Sequence, residues 1–427
     1  MGSIFKSLNY IYINQSKTDL SLTLFLASLP LPFAFINISF GLFVACVILN
    51  YKKLKFNYNF SLILPILFYI LCTLSLFWSI DFNQTSKYLS KGLFFIALPL
   101  IFLFIPKIKI ENRTKIFNNY SYLMVIATIF YLLRAFFRYM KTNDVYYFFY
   151  HDLVTLDVNA IYVSLFIAFA FINLLIKKNK KWFDFICISL LFGFLILLSS
   201  KNVIIITLLG VFISFIFHRT IFTKKNTIIA LVGFGLLIIP LGSKIKERFD
   251  LEFQNTTENV LLENNTINVS LKNAWEQNVF GHQYYFNGTA FRLYQIRIFK
   301  EFLEEDNIFF TGYGANAEQS KIKAKQIHYN LYDYYGDLNF HNQYIQSFSE
   351  LGVVGFLLTV AMVIANWIKS IRTKDFIFFF YTLLTTSIMF TESLFERQRG
   401  IVFFILLYCI FQQIQPKKST NKVIFSD

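Results

Sequence analysis

Long apolar runs joined by short polar connections make up most of the chain. Twelve stretches, at about 20–35, 37–50, 59–79, 88–106, 119–139, 158–176, 182–200, 202–218, 227–242, 346–368, 375–391 and 399–414, read as transmembrane helices. A hydrocarbon core about 30 Å thick takes roughly 20 residues at a rise of about 1.5 Å each. The first two runs are short and closely spaced. The first passes directly into further spans without a cleavage site, so it reads as a retained helix rather than a signal peptide.

The pattern breaks once, over residues 243–345, between the ninth and tenth spans. This divides the chain into N-terminal helices (1–242), one large loop or cap (243–345) and C-terminal helices with a tail (346–427). Within the loop, Asn255 to Ser270 is rich in Asn and Thr and reads as an irregular excursion. Leu293, Ile296, Phe299 and Leu303 lie at helical spacing between Phe291 and Glu305, and Gly312-Tyr313-Gly314 follows as a turn. A second amphipathic stretch runs from Ala315 to Tyr335. Tyr284, Tyr285, Phe286, Tyr329, Tyr332, Tyr334 and Tyr335 suit a surface at the level of lipid headgroups. The expected fold is therefore all-α, a polytopic membrane protein of about twelve transmembrane helices with one large, mostly helical loop.

Composition agrees. The 427 residues are 56% hydrophobic, 20% aromatic and 15% charged, which excludes a soluble globular chain. The net charge of +15 is explained by topology. Alternate connections hold 22 Lys and Arg, while the short connections of the other side hold seven, which places the first set, and both termini, in the cytoplasm. The large loop then lies outside, with 10 basic and 13 acidic residues between Lys244 and Phe340. A nucleic-acid partner has no remaining support. Cys46, Cys72, Cys187 and Cys409 fall inside apolar runs and read as small core residues.

Chemistry is concentrated at the outer side. The sequence Phe340-His341-Asn342-Gln343-Tyr344 opens the tenth span and is followed by Glu350-Leu351-Gly352-Val353-Val354-Gly355. His341 can titrate near neutral pH at the boundary of water and lipid. It can equally be a helix-start histidine beside a capping Asn342. Glu350 can hold a neighbouring cation, and Gly352 and Gly355 allow close helix contact. Arg292 starts the amphipathic loop helix with Arg297 five positions on. A guanidinium reads phosphate through its planar fork, or serves as a solvated helix cation. Lys201, in Ser199-Ser200-Lys201-Asn202, either snorkels to the headgroups or meets an anionic ligand. Two further outer stretches, Tyr150 to Tyr162 and Glu392 to Gly400, carry acids and arginines that can pair with each other. No P-loop, dinucleotide fingerprint, HExxH, GxSxG or CxxC framework is present.

These features resemble the O-antigen ligase family of bacterial polytopic glycosyltransferases, which includes O-antigen polymerases and protein O-oligosaccharyltransferases. The resemblance rests on the late large loop, on His341 and Asn342 followed by Glu350, Gly352 and Gly355, and on the helix from Arg292 that ends at Gly312 and Gly314. Where the family commonly has Ser-Arg between two spans, this chain has Ser200-Lys201, which keeps the charge and loses the fork.

The resemblance implies a GT-C-like enzyme on the periplasmic face of the inner membrane, acting in lipopolysaccharide biosynthesis. The donor it implies is a glycan on a polyprenyl diphosphate such as undecaprenyl diphosphate, and the acceptor a sugar hydroxyl of lipid A-core. No cofactor, nucleotide or metal is implied, since the diphosphate already activates the donor. His341 and Arg292 are then the catalytic residues. Arg292, Lys201 and Arg297 would hold the diphosphate, with Asn342, Glu350, Gly352 and Gly355 in support. A polymerase and a protein-glycosylating enzyme share this donor and are not separated by sequence. A lipid-linked glycan flippase or transporter is the reading from another class, disfavoured because the spans hold almost no mid-membrane charge apart from Arg134.

Overall fold

A computed structural model describes residues 16–155, 157–217, 258–261 and 266–414. Along them run α1 (Lys17–Ala27), α2 (Phe33–Leu49), α3 (Phe60–Leu74), α4 (Phe82–Gly92), α5 (Phe94–Phe104), α6 (Ile110–Thr142), α7 (Tyr150–Leu153), α8 (Ala160–Leu175), α9 (Trp182–Leu197) and α10 (Lys201–Phe217). After these come α11 (Leu271–Glu276), α12 (Gly288–Glu305), α13 (Gln319–His328), α14 (Gln343–Thr373), α15 (Phe376–Met389) and α16 (Gln398–Gln412). Each apolar run read from the sequence overlaps one or two of these helices, 20–35 spanning α1 and the start of α2 and 88–106 spanning α4 and α5, except 227–242, which lies outside the described residues.

Among the described residues, four helical stretches are long and apolar enough to cross a membrane: Phe60–Phe77, Phe82–Phe104, Ile110–Thr142 and Gln343–Thr373. Shorter apolar helices, including α2, α8, α9, α15 and α16, pack with them. α8 and α16 are apolar nearly all round and buried along their length, which places them at the bundle centre. α2 and α6 instead expose Phe35, Ile38, Ile126, Phe130 and Phe137, an outward apolar face suited to lipid rather than water.

The connections sort into two ends. At one, Lys177 Nζ meets Asp184 at 2.9 Å, Arg113 pairs with Asp375, and the Asn57 amide donates to Leu103 O at 2.7 Å. At the other, Arg399 gathers Leu31 O (2.8 Å) and Asp157 Oδ2 (3.1 Å), and Lys91 Nζ reaches Glu396 O at 3.4 Å. Connections assigned to one side by their charge thus touch one another. The Arg399–Asp157 pair joins the two outer stretches that the sequence suggested would pair.

Residues 269–340 form a second hydrophobic cluster, the core of the cap. Around it lie α11, α12, α13 and their loops, with three two-residue strands among the described residues, β1 (Val260–Leu261), β2 (Ile267–Asn268) and β3 (Tyr284–Tyr285), β1–β2 antiparallel and β2–β3 parallel. Phe286, Tyr329 and Tyr335 are buried in this core rather than lying on a headgroup-facing surface. The second amphipathic stretch is a shorter helix than expected, α13, followed by a 3₁₀ turn over Asp333–Asp337.

The tenth span is not one straight helix. Gly352 adopts φ 65° and ψ −164°, a conformation open essentially to glycine alone. In a continuous helix Ser347 and Thr359 would stand about 18 Å apart at 1.5 Å per residue. Their hydroxyls are 2.9 Å apart, so the chain doubles back at Gly352. Gln343–Leu351 is a half-helix folded against the rest of α14. Gly355 makes this possible, because a Cβ there would meet Leu351 Cβ at 2.3 Å and Ser347 O at 2.9 Å. The glycine pair therefore permits contact within one segment rather than between separate spans. Backbone groups freed by the break are satisfied by the cap turn: Tyr313 N donates to Ser349 O (2.9 Å), Gly314 N to Glu350 O (2.8 Å) and Val353 N to Phe309 O (2.8 Å).

Candidate functional site

The fold brings a histidine, a glutamate and an arginine from three elements to the seam between cap and bundle. Asn342 caps the half-helix of α14, its Oδ1 accepting from Tyr344 N (3.0 Å) and Ile345 N (3.2 Å). His341 precedes it with φ 48°, and its amide donates to Asn339 Oδ1 at 3.0 Å. Its imidazole packs edge-on against Phe291, 5.8 Å between centroids, and Nδ1 lies 3.3 Å from Glu392 Oε2. A carboxylate only accepts, so Nδ1 carries the proton and donates. Nε2 takes no protein partner among the described residues.

Arg292 comes from the second turn of α12, which Asn287 caps by accepting from Thr289 N (3.1 Å) and Ala290 N (2.9 Å). Its Nε donates to Thr391 O (3.0 Å), Nη1 to Gly288 O (2.9 Å) and Nη2 to Glu392 Oε1 (3.3 Å). A guanidinium has five N–H donors, so two remain for a ligand. The Glu392 side chain is 9% exposed, while those of His341 and Arg292 are 25% and 32% exposed. A buried carboxylate thus holds two groups that open to the outside, one through each oxygen.

Lys201 is the first residue of α10. Its neighbour Asn202 donates to Thr391 Oγ1 (2.8 Å) and Ser387 O (3.0 Å), and accepts from Ser387 Oγ (2.7 Å). Because Thr391 adjoins Glu392 and bonds Arg292, these contacts fix the start of α10, and with it Lys201, at the edge of the same group.

Arg297 is not part of it. Five positions on a helix turn the side chain roughly 140° away from Arg292. Its guanidinium lies inside the cap, donating to Glu301 Oε1 (3.1 Å), Gln277 O (2.8 Å), Asn278 Oδ1 (3.1 Å) and Tyr329 OH (3.0 Å). The diphosphate role the resemblance implied for it has no geometric basis, and it acts as a core tie.

Glu350 does not hold a cation either. It is 1% exposed and accepts from Gln346 Nε2 at 2.7 Å; the same amide donates to Glu318 Oε1 at 2.5 Å. Gln346 Oε1 accepts from Phe340 N (3.4 Å) and Ser393 Oγ (3.3 Å), so one side chain joins the cap, the half-helix and the loop carrying Glu392. Burial, then the nearby Glu396 carboxylate, pushes the Glu318 carboxyl up to about 8.

Glu392 is the residue that sequence reasoning passed over, having been grouped with acids expected to pair locally with arginines. The signal available was an acid directly following an apolar run.

Apolar helices, a cap and a His–Glu–Arg group at their junction define an all-α membrane protein with a polar site at one end of its bundle. Residues 152–360 match the sequence model of the family described as O-Antigen ligase, a match that supports that family. The matched range contains Lys201, Arg292, His341, Asn342, Glu350, Gly352 and Gly355, while Glu392 lies beyond it. No curated protein matches the chain.

Proposed function

We propose that this protein transfers an oligo- or polysaccharide from a polyprenyl-diphosphate carrier to an acceptor hydroxyl on the outer face of the cytoplasmic membrane, with O-antigen ligation to lipid A-core as the leading form. The reading rests on one observation: Glu392 holds the His341 imidazole and the Arg292 guanidinium together, one on each oxygen. It is supported by the family match, which suggests a ligase- or polymerase-like glycosyltransferase.

In this mechanism the acceptor hydroxyl gives its proton to His341 Nε2 as its oxygen bonds to the anomeric carbon. The bond from that carbon to the diphosphate oxygen breaks, and its electron pair leaves with the diphosphate. The two unspent N–H groups of Arg292, with Lys201 at the rim, would meet the growing negative charge. Glu392 keeps Nδ1 protonated, so that Nε2 presents its lone pair, and it balances the imidazolium that forms. Attack opposite the leaving group inverts the anomeric centre.

The direct test incubates the purified protein in lipid nanodiscs with a polyprenyl-diphosphate glycan and candidate acceptors, without nucleotide or added metal. Glycan appearing on lipid A-core supports ligation. Elongation of a second carrier-linked glycan marks a polymerase, and glycan on secreted protein a protein-glycosylating enzyme. Full activity of both His341→Ala and Arg292→Ala would remove the assignment.

A further inference from the structure

The cap carries a set of tyrosines exposed on its surface. In β3, Tyr284 turns inward against Phe280, 5.7 Å between centroids, and the alternation of a strand turns Tyr285 outward. In the Asp333–Asp337 turn, Tyr335 is buried and its hydroxyl accepts from Phe286 N at 3.0 Å, which leaves Tyr334 and Tyr332 on the surface. Tyr285, Tyr332 and Tyr334 are 43%, 52% and 59% exposed. Tyr285 adjoins Phe286, whose amide bonds the Tyr335 hydroxyl, and Tyr334 adjoins Tyr335 itself, so both flank the same buried ring. This face is linked to the site by three ring contacts: His341 to Phe291 at 5.8 Å, Phe291 to Tyr335 at 5.3 Å, and Tyr335 to Tyr334 at 6.0 Å.

Its charge argues against a lipid surface. Asp333 and Asp337 are exposed on the same turn, and carboxylates so placed repel anionic headgroups. They accept hydrogen bonds from neutral hydroxyls well. Flat rings bearing a polar edge, with carboxylates beside them, match the apolar faces and hydroxyl rims of sugar rings.

We propose that Tyr285, Tyr332 and Tyr334, with Asp333 and Asp337, form a platform on which the transferred glycan lies, several sugar units away from the bond that His341 and Arg292 act on. The proposal rests on the glycan-transfer reading above and names where the chain distal to the reacting sugar is held. A platform at this distance discriminates by glycan length. A donor bearing one sugar does not reach it, whereas a donor bearing several repeat units does.

The test compares the full-length parent and the Tyr332→Ala/Tyr334→Ala variant in nanodiscs, using one polyprenyl-diphosphate donor with a single sugar and one with several repeats. KM for the long donor is expected to rise about tenfold, the equivalent of roughly 1.4 kcal/mol, with kcat and the single-sugar KM unchanged. Unchanged constants with the long donor, or equal losses with both donors, would overturn the platform. A second measurement separates its failure from failure of the transfer reading. The glycan is released from its carrier by mild acid and titrated against both proteins, with saturation transfer from tyrosine ring protons recorded by NMR. Transfer to sugar protons in the parent, lost in the variant, supports the platform even where no donor is turned over. No transfer in the parent overturns it, as do tyrosine signals that respond to the phospholipid headgroup composition and not to the glycan.

Discussion

His341 Nδ1 and Glu392 Oε2 stand 3.3 Å apart across the seam between the cap and the last helices of the bundle, although 51 positions separate them in the chain. The contact determines which imidazole nitrogen is available for chemistry. Glu392→Gln removes the charge that favours a protonated Nδ1 and balances an imidazolium, and it weakens the hold on Arg292. Loss of a carboxylate that orients a general-base histidine costs up to about 10⁴-fold. The expected outcome is a fall of that size in kcat, measured with purified protein, with the cap still folded by circular dichroism. Parent-like kcat would show that the pair is structural.

The two cations at the rim are expected to respond differently to substitution. Arg292→Lys keeps the charge but gives up the bonds to Thr391 O and Gly288 O as well as the fork, so kcat/KM should fall by about 10²-fold or more. Lys201→Arg adds a fork at the start of α10 and is expected to preserve or lower KM for the lipid-diphosphate donor. A large loss from Lys201→Arg combined with tolerance of Arg292→Lys would reverse the assigned roles.

Much of this arrangement was legible in the sequence, and the reasons differ by element. Apolar run length placed the helices among the described residues, because it reflects the bilayer directly. His341, Asn342, Arg292 and Lys201 stood out as polar residues where an apolar helix begins or a loop helix starts. Glu392 did not, because its role depends on which two partners the fold delivers to it, and no spacing in one chain records that. Arg297 misled for the opposite reason: its type and helix were suitable, while a turn of roughly 140° put it inside the cap. Similarly, Gly352 and Gly355 read as a helix-contact pair because spacing does not reveal a positive φ.

Arg297 offers a clean separation of folding from chemistry. Arg297→Ala leaves Tyr329, Gln277 O and Asn278 without their shared donor, while Lys325 still pairs Glu301 at 2.7 Å. A loss of up to about 3 kcal/mol in cap stability is expected. Thermal unfolding followed by near-ultraviolet circular dichroism should show it. Activity per folded molecule, counted below the new midpoint, should remain close to the parent. A selective rise in donor KM without loss of stability would return Arg297 to the diphosphate.

The doubled-back segment predicts unusual sensitivity to a single methyl group. Gly352→Ala places a Cβ 2.4 Å from Phe310 C and O and forces alanine into a region that costs about 1–3 kcal/mol even without a clash. Gly312→Ala meets Glu350 C and O at 2.3 Å from the other side of the same contact. Both should reduce the yield of folded protein and detach the cap turn, seen as faster proteolysis within 309–314. Gly41→Ala, with nothing within 4 Å of the added carbon, is the control and should behave as parent.

The same seam gives the cap a pH dependence whose sign follows from Glu318. Its carboxyl is raised to about 8 in the folded protein, by burial first and by Glu396 second, against an ordinary value of 4.5. Between those values the folded protein holds a proton that the unfolded chain releases. Stability from this group is therefore full below about 4.5 and is lost as the pH rises through 8. Glu350 and Glu396 face Glu318 here, Lys91 is the nearby cation, and Gln346 Nε2 donates to its Oε1. Glu318→Gln keeps an acceptor for that amide and removes the titration. The thermal midpoint of the parent in detergent should fall as buffer is moved from about pH 5 to about pH 9, and the variant should fall less steeply. Parallel curves for the two proteins would mean that the carboxyl does not take up the proton on folding, and that the seam is held by Gln346 alone.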